Sequence, residues 1–335
     1  MMAQPRTEGR PIEVVEYTPE WAPAWQEFLA KSNNGTLFHD LDFLAYHAPG
    51  KFRTHHLIFR QNDHISALLP GAIVKEPDGS ECLKSPYGAS IGGFALPIGQ
   101  PIETACEIVQ ALQEHVARSG LQGAEFRLAP SFYMAAPDES LGFALMANGF
   151  RLVMRWLCPT VPLPATPDEV MQLIHRRRAR YIRAGLREGI VVRETGPASL
   201  DQFYDLLLAD RRRHDATPTH SRQDIEYLLT RLPGRVRLYM CGKDGLEMAG
   251  LLLFILNPRV AYTFYLCQDP SHRDLQLAAI LNAHVARHMV TEGVRYLDFG
   301  PTTFDDFSLN RGLDRFKAEF GARGFCRDTW RWQVA

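Results

Sequence analysis

The chain has 335 residues, of which 46% are hydrophobic, and a formal net charge of −1. That is enough apolar material for two packed domains, and it excludes a disordered chain. The near-zero charge supplies no global field for DNA, RNA or a membrane surface, so an anionic partner has to be met by a local basic patch.

Six cysteines (Cys82, Cys106, Cys158, Cys241, Cys267 and Cys326) contain no CxxC pair. They read as buried reduced thiols of a cytoplasmic protein, with neither a disulfide framework nor a metal site expected. The opening MMAQPRTEGRP has no apolar run and is not a secretory signal. The longest apolar run, Met248 to Leu256, is far shorter than the ~20 residues that span a bilayer, so it reads as a buried strand and no transmembrane segment is expected.

In chain order, Ile12 to Tyr17 reads as a strand and Trp21 to Lys31 as a helix. TLFHDLDFLAYH (36–47) puts Phe38, Leu41, Leu44 and Ala45 on one helical face. A hairpin follows: His56 to Arg60, a polar turn, then Ile65 to Val74. SPYGASIGGFAL (85–96) is a Gly-rich strand-loop. Ile102 to Arg118 is a helix, Ala124 to Leu128 a strand, and Phe150 to Val161 a closing strand. The Pro-rich joint PLPATPDEV comes next. In it Thr166, Pro167 and Glu169 form a helix start, and the spacing predicts one helix to about Glu188, stopped by Gly189. Arg176, Arg180, Arg183 and Arg187 share a face of that helix. A second basic cluster, Arg211 to Arg213, lies near the end of a helix read over Leu200 to Asp210.

The second half repeats the order of the first. Val236 to Cys241 and Met248 to Leu256 form a hairpin. A strand at Tyr262 to Cys267 is followed by a helix from about Asp274 to Glu292, for which Ser271 and Asp274 resemble a capping box. A strand at Val294 to Phe299 and the break at Gly300 and Pro301 lead to GLDRFKAEFG (312–321). HVAR occurs in both halves, at 115–118 and 284–287, before a Gly-containing turn and a strand. Two copies of hairpin, strand, helix and strand point to a duplicated α/β domain.

The segments RARYIRAGLREGIVVRE (178–194), FYDLLLADRRRH (203–214), YTFYLCQDPSHRDLQLAAIL (262–281), YLDFG (296–300) and GLDRFKAEFG together resemble the FemAB/FemX peptidoglycan-bridge aminoacyltransferases and related acyltransferases. They cover about a third of the chain, and the last is the most specific. The resemblance implies an α/β (α+β) chain of two tandem GNAT-like domains, each a mixed, mainly antiparallel sheet flanked by helices. The domains would run over 1–162 and 163–325, and the strand at about 326–335 could return to the first. It also implies transfer of an acyl or aminoacyl group to a primary amine of a cell-envelope or small-molecule acceptor. The donor would be aminoacyl-tRNA or acyl-CoA, with no tightly bound cofactor. A non-catalytic binding module for an anionic glycan or lipid precursor is the alternative.

By the same resemblance, Lys317 would stabilise the oxyanion of the carbonyl under attack, and Phe316 would lie beside it. Arg213 would meet an acceptor diphosphate through its guanidinium fork. Tyr265 would orient substrate unless it is a core residue. Asp298 would act as general base, or hold backbone N–H groups as a structural acid. Arg180 and Arg183 on the basic stripe could meet tRNA phosphate. Arg273, Gln276 and Ala278 stand where simple acetyl-CoA enzymes carry R/QxxGxG/A, with a side chain at the first glycine position. His284 and His288 are expected to pack on the helix stripe. The twelve histidines show no ligand spacing, so no metal is expected.

Overall fold

A computed structural model describes residues 11–213 and 215–334. The opening segment read above as lacking a signal lies largely outside the described residues. The chain divides into two compact units: residues up to Arg155 together with Arg327 onward, and Trp156–Cys326.

The first unit starts with β1 (Glu13–Glu16), α1 (Ala22–Lys31) and the short α2 (Leu41–Leu44). The single helix expected over 36–47 is two short pieces, a 3-10 turn at Leu37–His39 and α2. Asp40 between them is extended and caps α2 through its carboxylate, which accepts from the Asp42 N–H. Then come β2 (Arg53–Thr54), β3 (Leu57–Gln61), β4 (His64–Leu69), β5 (Ala72–Lys75) and β6 (Glu81–Ser85). The expected strand Ile65–Val74 is thus two strands. Pro70, which has no N–H to continue a ladder, and Gly71 separate them, and they join different sheets. One sheet has the order β1-β3-β4.

The other sheet of this unit pairs β2, β5, β6, β7 (Gly123–Arg127) and the C-terminal part of β14 (Arg323–Gln333). The helix α3 (Ile102–Arg118) connects β6 to its parallel neighbour β7, and its buried face carries Ile108, Val109, Leu112 and Val116. The helix α4 (Ser140–Ala147), which has no sequence-level counterpart above, packs on α3. Thr329–Gln333 of β14 pair antiparallel with β7, and Trp330 enters the core of this unit beside Phe126 and Phe150.

The second unit begins inside β8 (Arg151–Pro162), where Thr160, Val161 and Pro162 already pair with β13 (Tyr296–Asp298). The Thr166–Glu169 capping box forms as expected, but the helix it starts does not run through to Glu188. It ends as α5 (Val170–Leu173), and α6 (Arg176–Arg187) restarts after the extended Ile174 and His175. The cause is tertiary: Ile174 is buried, and the His175 N–H donates to the Glu319 carbonyl at 2.7 Å. Next are β9 (Val191–Glu194), α7 (Leu200–Arg212), α8 (Arg222–Arg231), β10 (Val236–Lys243), β11 (Leu246–Asn257) and β12 (Val260–Gln268). The helices α9 (Leu277–Thr291) and α10 (Arg311–Ala318) flank β13 in sequence. The sheet order is β8-β13-β12-β11-β10-β9, antiparallel except for β12 and β13.

The same crossover therefore occurs in each unit: a strand, a helix bearing HVAR, and a parallel strand. In the second unit α6 packs on α9. Gly185 makes the close approach possible, since a Cβ there would lie 2.7 Å from Ile280 Cδ1. Among the described residues no helix is long and apolar enough to cross a membrane.

Trp330→Ala removes a nearly buried indole from the first unit's core. It should cost about 3–5 kcal/mol of that unit's stability. Chemical denaturation followed by circular dichroism would show this as a lowered first transition.

Candidate active site

The strand β13 ends on Asp298, and the chain then turns sharply at Gly300 and Pro301. Gly300 has a φ of +71°, and a Cβ on it would lie 3.0 Å from the Tyr262 hydroxyl, so glycine is needed for both conformation and space. Two charged side chains hold the turn. The Asp298 carboxylate, fully buried, accepts the Gly300 N–H at 2.7 Å. Lys317, on α10 and only 4% exposed, donates from Nζ to the Gly300 carbonyl at 2.9 Å and the Pro301 carbonyl at 3.0 Å. Lys317 is thus a buried cation with main-chain acceptors rather than a solvated one. Asp298 holds a backbone N–H, as the structural reading of it requires.

Phe316 on α10 and Phe320 just past its end lie on either side of Lys317 in sequence, their ring centroids 5.2 Å apart, and pack on the unit's core. The Arg178 guanidinium lies over the Phe316 ring at 5.4 Å. Arg178 Nε also donates to Glu319 Oε2 at 2.7 Å, and another of its nitrogens donates to Gln276 Oε1. One arginine therefore ties α6 to the end of α10 and to the start of α9.

That start differs from the expected one. Ser271 and Asp274 do not cap α9. Ser271 belongs to a 3-10 turn capped by Asp269, whose carboxylate accepts the Ser271 N–H at 2.9 Å. Helix α9 begins only after Gln276, which adopts the left-handed conformation with φ +56°. A glycine would take this conformation more readily. Gln276 Nε2 donates to the Arg273 carbonyl at 3.2 Å, and the Ala278 N–H donates to Gln268 Oε1 at 3.2 Å. Of the stretch 273–278, then, Arg273 is exposed, Gln276 is held by Arg178, and the Ala278 N–H is engaged by a side chain.

The β12–β13 pairing runs only from Val260↔Tyr296 to Tyr262↔Asp298, so Thr263–Gln268 extend beyond it. Tyr265 lies on this extension. It is buried, and its hydroxyl accepts from the Thr219 N–H at 3.1 Å and the His220 N–H at 3.3 Å, beside Thr219 Oγ1 at 2.8 Å and His220 Nδ1 at 3.0 Å. Burial raises its pKa, so it stays protonated. Such a hydroxyl anchors the segment before α8. Arg211, not Arg213, lies over the Tyr265 ring, at 5.5 Å. Arg213 is exposed and sits 3.9 Å from Asp210. Residues 219 and 220, Arg178 and Glu319 carry no sequence period that would have singled them out.

Arg176, Arg180, Arg183 and Arg187 are all exposed on α6, with no acidic partner among the described residues. Arg180 lies over Tyr181 at 5.5 Å. His284 is exposed, and His288 sits 2.9 Å from the Tyr239 hydroxyl and 3.2 Å from Glu292.

A family model described as "Acetyltransferase (GNAT) domain" matches residues 172–318, from α5 to the end of α10. The second unit carries a GNAT acyltransferase domain. Across the whole chain the fold is that of FemX, whose crystal structure gives a TM-score of 0.77 at 13% identity over 96% of this chain and 97% of that one. A tandem GNAT protein from the clavulanic acid biosynthesis pathway gives 0.53 at 14% identity, over 97% and 99%. A protein described as L-PGS from Bacillus licheniformis gives 0.57 at 12% identity, over 93% and 91%. No curated protein matches in sequence. The GNAT domain thus contains the Lys317 lock, the Tyr265 anchor and the Arg178 bridge together.

Gly300→Ala should cost roughly 1–3 kcal/mol, from strain at positive φ and the clash with Tyr262. Thermal denaturation of the variant against the parent chain would show it. An unchanged midpoint would mean that the turn is not held as tightly as its contacts suggest.

Proposed function

We propose that the second unit transfers an acyl or aminoacyl group from an activated donor to a primary amine of a cell-envelope or small-molecule acceptor. The new C–N bond forms as the ester or thioester bond breaks, and the departing oxygen or sulfur takes up the proton that the amine loses. The observation that carries this reading is Lys317. A buried ammonium fixed by two carbonyls at a strand end is a preorganised charge, able to favour an oxyanion without reorganising.

Aminoacyl-tRNA is the donor we favour over acyl-CoA. In a simple acetyl-CoA enzyme the helix start equivalent to α9 would offer glycine and open N–H groups to a pyrophosphate. Here Gln276 puts a side chain at that point, Arg178 holds it, and Gln268 takes the Ala278 N–H. The four exposed arginines of α6 offer a surface for tRNA phosphate, with Arg180 and Arg183 central. In this reading a peptide-bearing peptidoglycan precursor is the acceptor, Arg211 and Arg213 lie toward it, and the work is cytoplasmic.

The test is amide formation from aminoacyl-tRNA and a lysine-bearing muropeptide, followed by mass spectrometry, with acyl-CoA donors run in parallel. Lys317→Ala should slow turnover about 10²–10³-fold. A variant that loses stability but keeps its turnover would leave Lys317 as a peg for the Gly300–Pro301 turn and overturn the mechanism. Tight CoA binding with no use of tRNA would overturn the donor assignment.

Arg180→Glu with Arg183→Glu should weaken tRNA binding. Its logarithmic salt dependence should also become shallower, by about one in slope for each phosphate that is no longer neutralised. Affinities measured across a salt series would show the change.

A further inference from the structure

Away from these residues, in the first unit, three ligand-type side chains meet that no sequence spacing connects. They are Glu16 at the end of β1, His55 in the extended segment between β2 and β3, and His115 near the end of α3. The Nε2 atoms of His55 and His115 are 2.8 Å apart. Their ring centroids are 5.1 Å apart with planes only 25° from parallel. Nitrogens so close with centroids so far apart mean that the rings meet edge to edge through Nε2, not face to face. The Glu16 carboxylate lies 4.0 Å from His55 Nδ1, and its side chain is mostly exposed and able to swing.

The backbone around His55 is held before any ligand arrives. The His55 N–H donates to the Gly71 carbonyl at 2.7 Å, and the next residue's carbonyl accepts from the Tyr17 N–H at 2.9 Å. Glu16 is in register opposite Leu57 in the β1–β3 pair. Burial is the main cause that lowers the pKa of both imidazoles, with the Glu16 carboxylate acting the other way. Two positive groups face the cluster, Arg53 beside His55 and Arg118 beside His115. Both carboxylate oxygens of Glu81 hold Arg53, at 2.9 Å each, which offsets its charge.

We propose that Glu16, His55 and His115 bind one divalent transition-metal ion of the zinc class. Two imidazole nitrogens and one carboxylate would ligate it, and water would complete a four-coordinate shell. Zinc–nitrogen bonds of about 2.0–2.1 Å in a tetrahedral shell place two nitrogens roughly 3.3 Å apart. The two rings would therefore part by about half an ångström, and each would turn by roughly 35° so that the Nε2 lone pairs, now aimed at each other, converge on the ion, while the exposed Glu16 side chain swings round from the Nδ1 side of His55.

The experiment uses the full chain with any affinity tag removed and metal stripped by a chelator. Zinc is titrated by calorimetry, and cobalt in parallel by visible absorption. One equivalent should bind. His115→Ala and His55→Ala should each weaken binding by roughly tenfold or more, and Glu16→Gln by less. His115→Gln, nearer in size, is run beside them with circular dichroism, so that loss of fold and loss of a ligand are told apart. Failure to bind at about millimolar zinc would overturn the proposal and leave an N–H···N hydrogen bond between neutral rings. So would uptake that folded His55 and His115 variants retain unchanged.

Discussion

An ammonium group taken out of water must be surrounded by acceptors, because burying it unpaired costs several kcal/mol. Lys317 finds two of them in consecutive carbonyls, those of Gly300 and Pro301. For two neighbouring carbonyls to face one cation, the chain must leave the extended conformation directly after β13. Glycine at positive φ followed by proline, which has no N–H of its own to satisfy, meets that demand. Asp298 secures the other side by taking the Gly300 N–H. The strand end, the turn and α10 thus share one polar lock whose charges lie on both faces of a single residue.

The rest of the second unit is built outward from this lock. Once Lys317 fixes α10, Phe316 and Phe320 are directed onto the core, and Glu319 is presented to α6. The His175 N–H then bonds to the Glu319 carbonyl, which breaks the helix that the Thr166 cap began and sets where α6 restarts. Arg178, near that restart, crosses to Gln276 and fixes the left-handed residue from which α9 departs. The order of dependence runs from a buried charge to a helix break, and from the break to the conformation of a helix start. A fixed charge in a dry setting is worth more to a developing anion than the same charge in water.

Elements with a strong side-chain period were legible in the sequence: Ile102–Arg118, the β10–β11 hairpin, and α7 differ from expectation by a residue or two. The misses have specific causes. Val170 to Arg187 keeps a helical period through His175, yet a backbone hydrogen bond to a residue far along the chain interrupts it, and periodicity carries no information about such bonds. Ile65–Val74 reads as one strand only if the Pro70–Gly71 pair inside a mainly apolar run is passed over. SLGFALMA is apolar nearly all round, so α4 has no polar face to reveal it. In the candidate site, Lys317, Asp298 and Tyr265 could be picked out because they stand in recognisable segments. Which residues meet could not be read: Arg178 and Glu319 are 141 residues apart, and Tyr265 meets His220 across 45.

The two HVAR segments show how one frame comes to serve different chemistry. In each, the valine (Val116 or Val285) is fully buried and the histidine one place before it lies toward the edge, half-buried at His115 and exposed at His284, so both helices use the same register against their sheets. What differs is what faces the histidine. His284 looks onto Tyr239 and His288, whose polar atoms are already joined to each other and to Glu194 and Glu292, a closed network on the helix surface. His115 instead meets His55 nitrogen to nitrogen, with Glu16 beyond it. Helix register is set by apolar packing and tolerates almost any polar neighbour at its edge. The side chain opposite, supplied by an irregular segment such as the one before β3, therefore decides whether the repeated histidine closes a hydrogen-bond network or offers a lone pair.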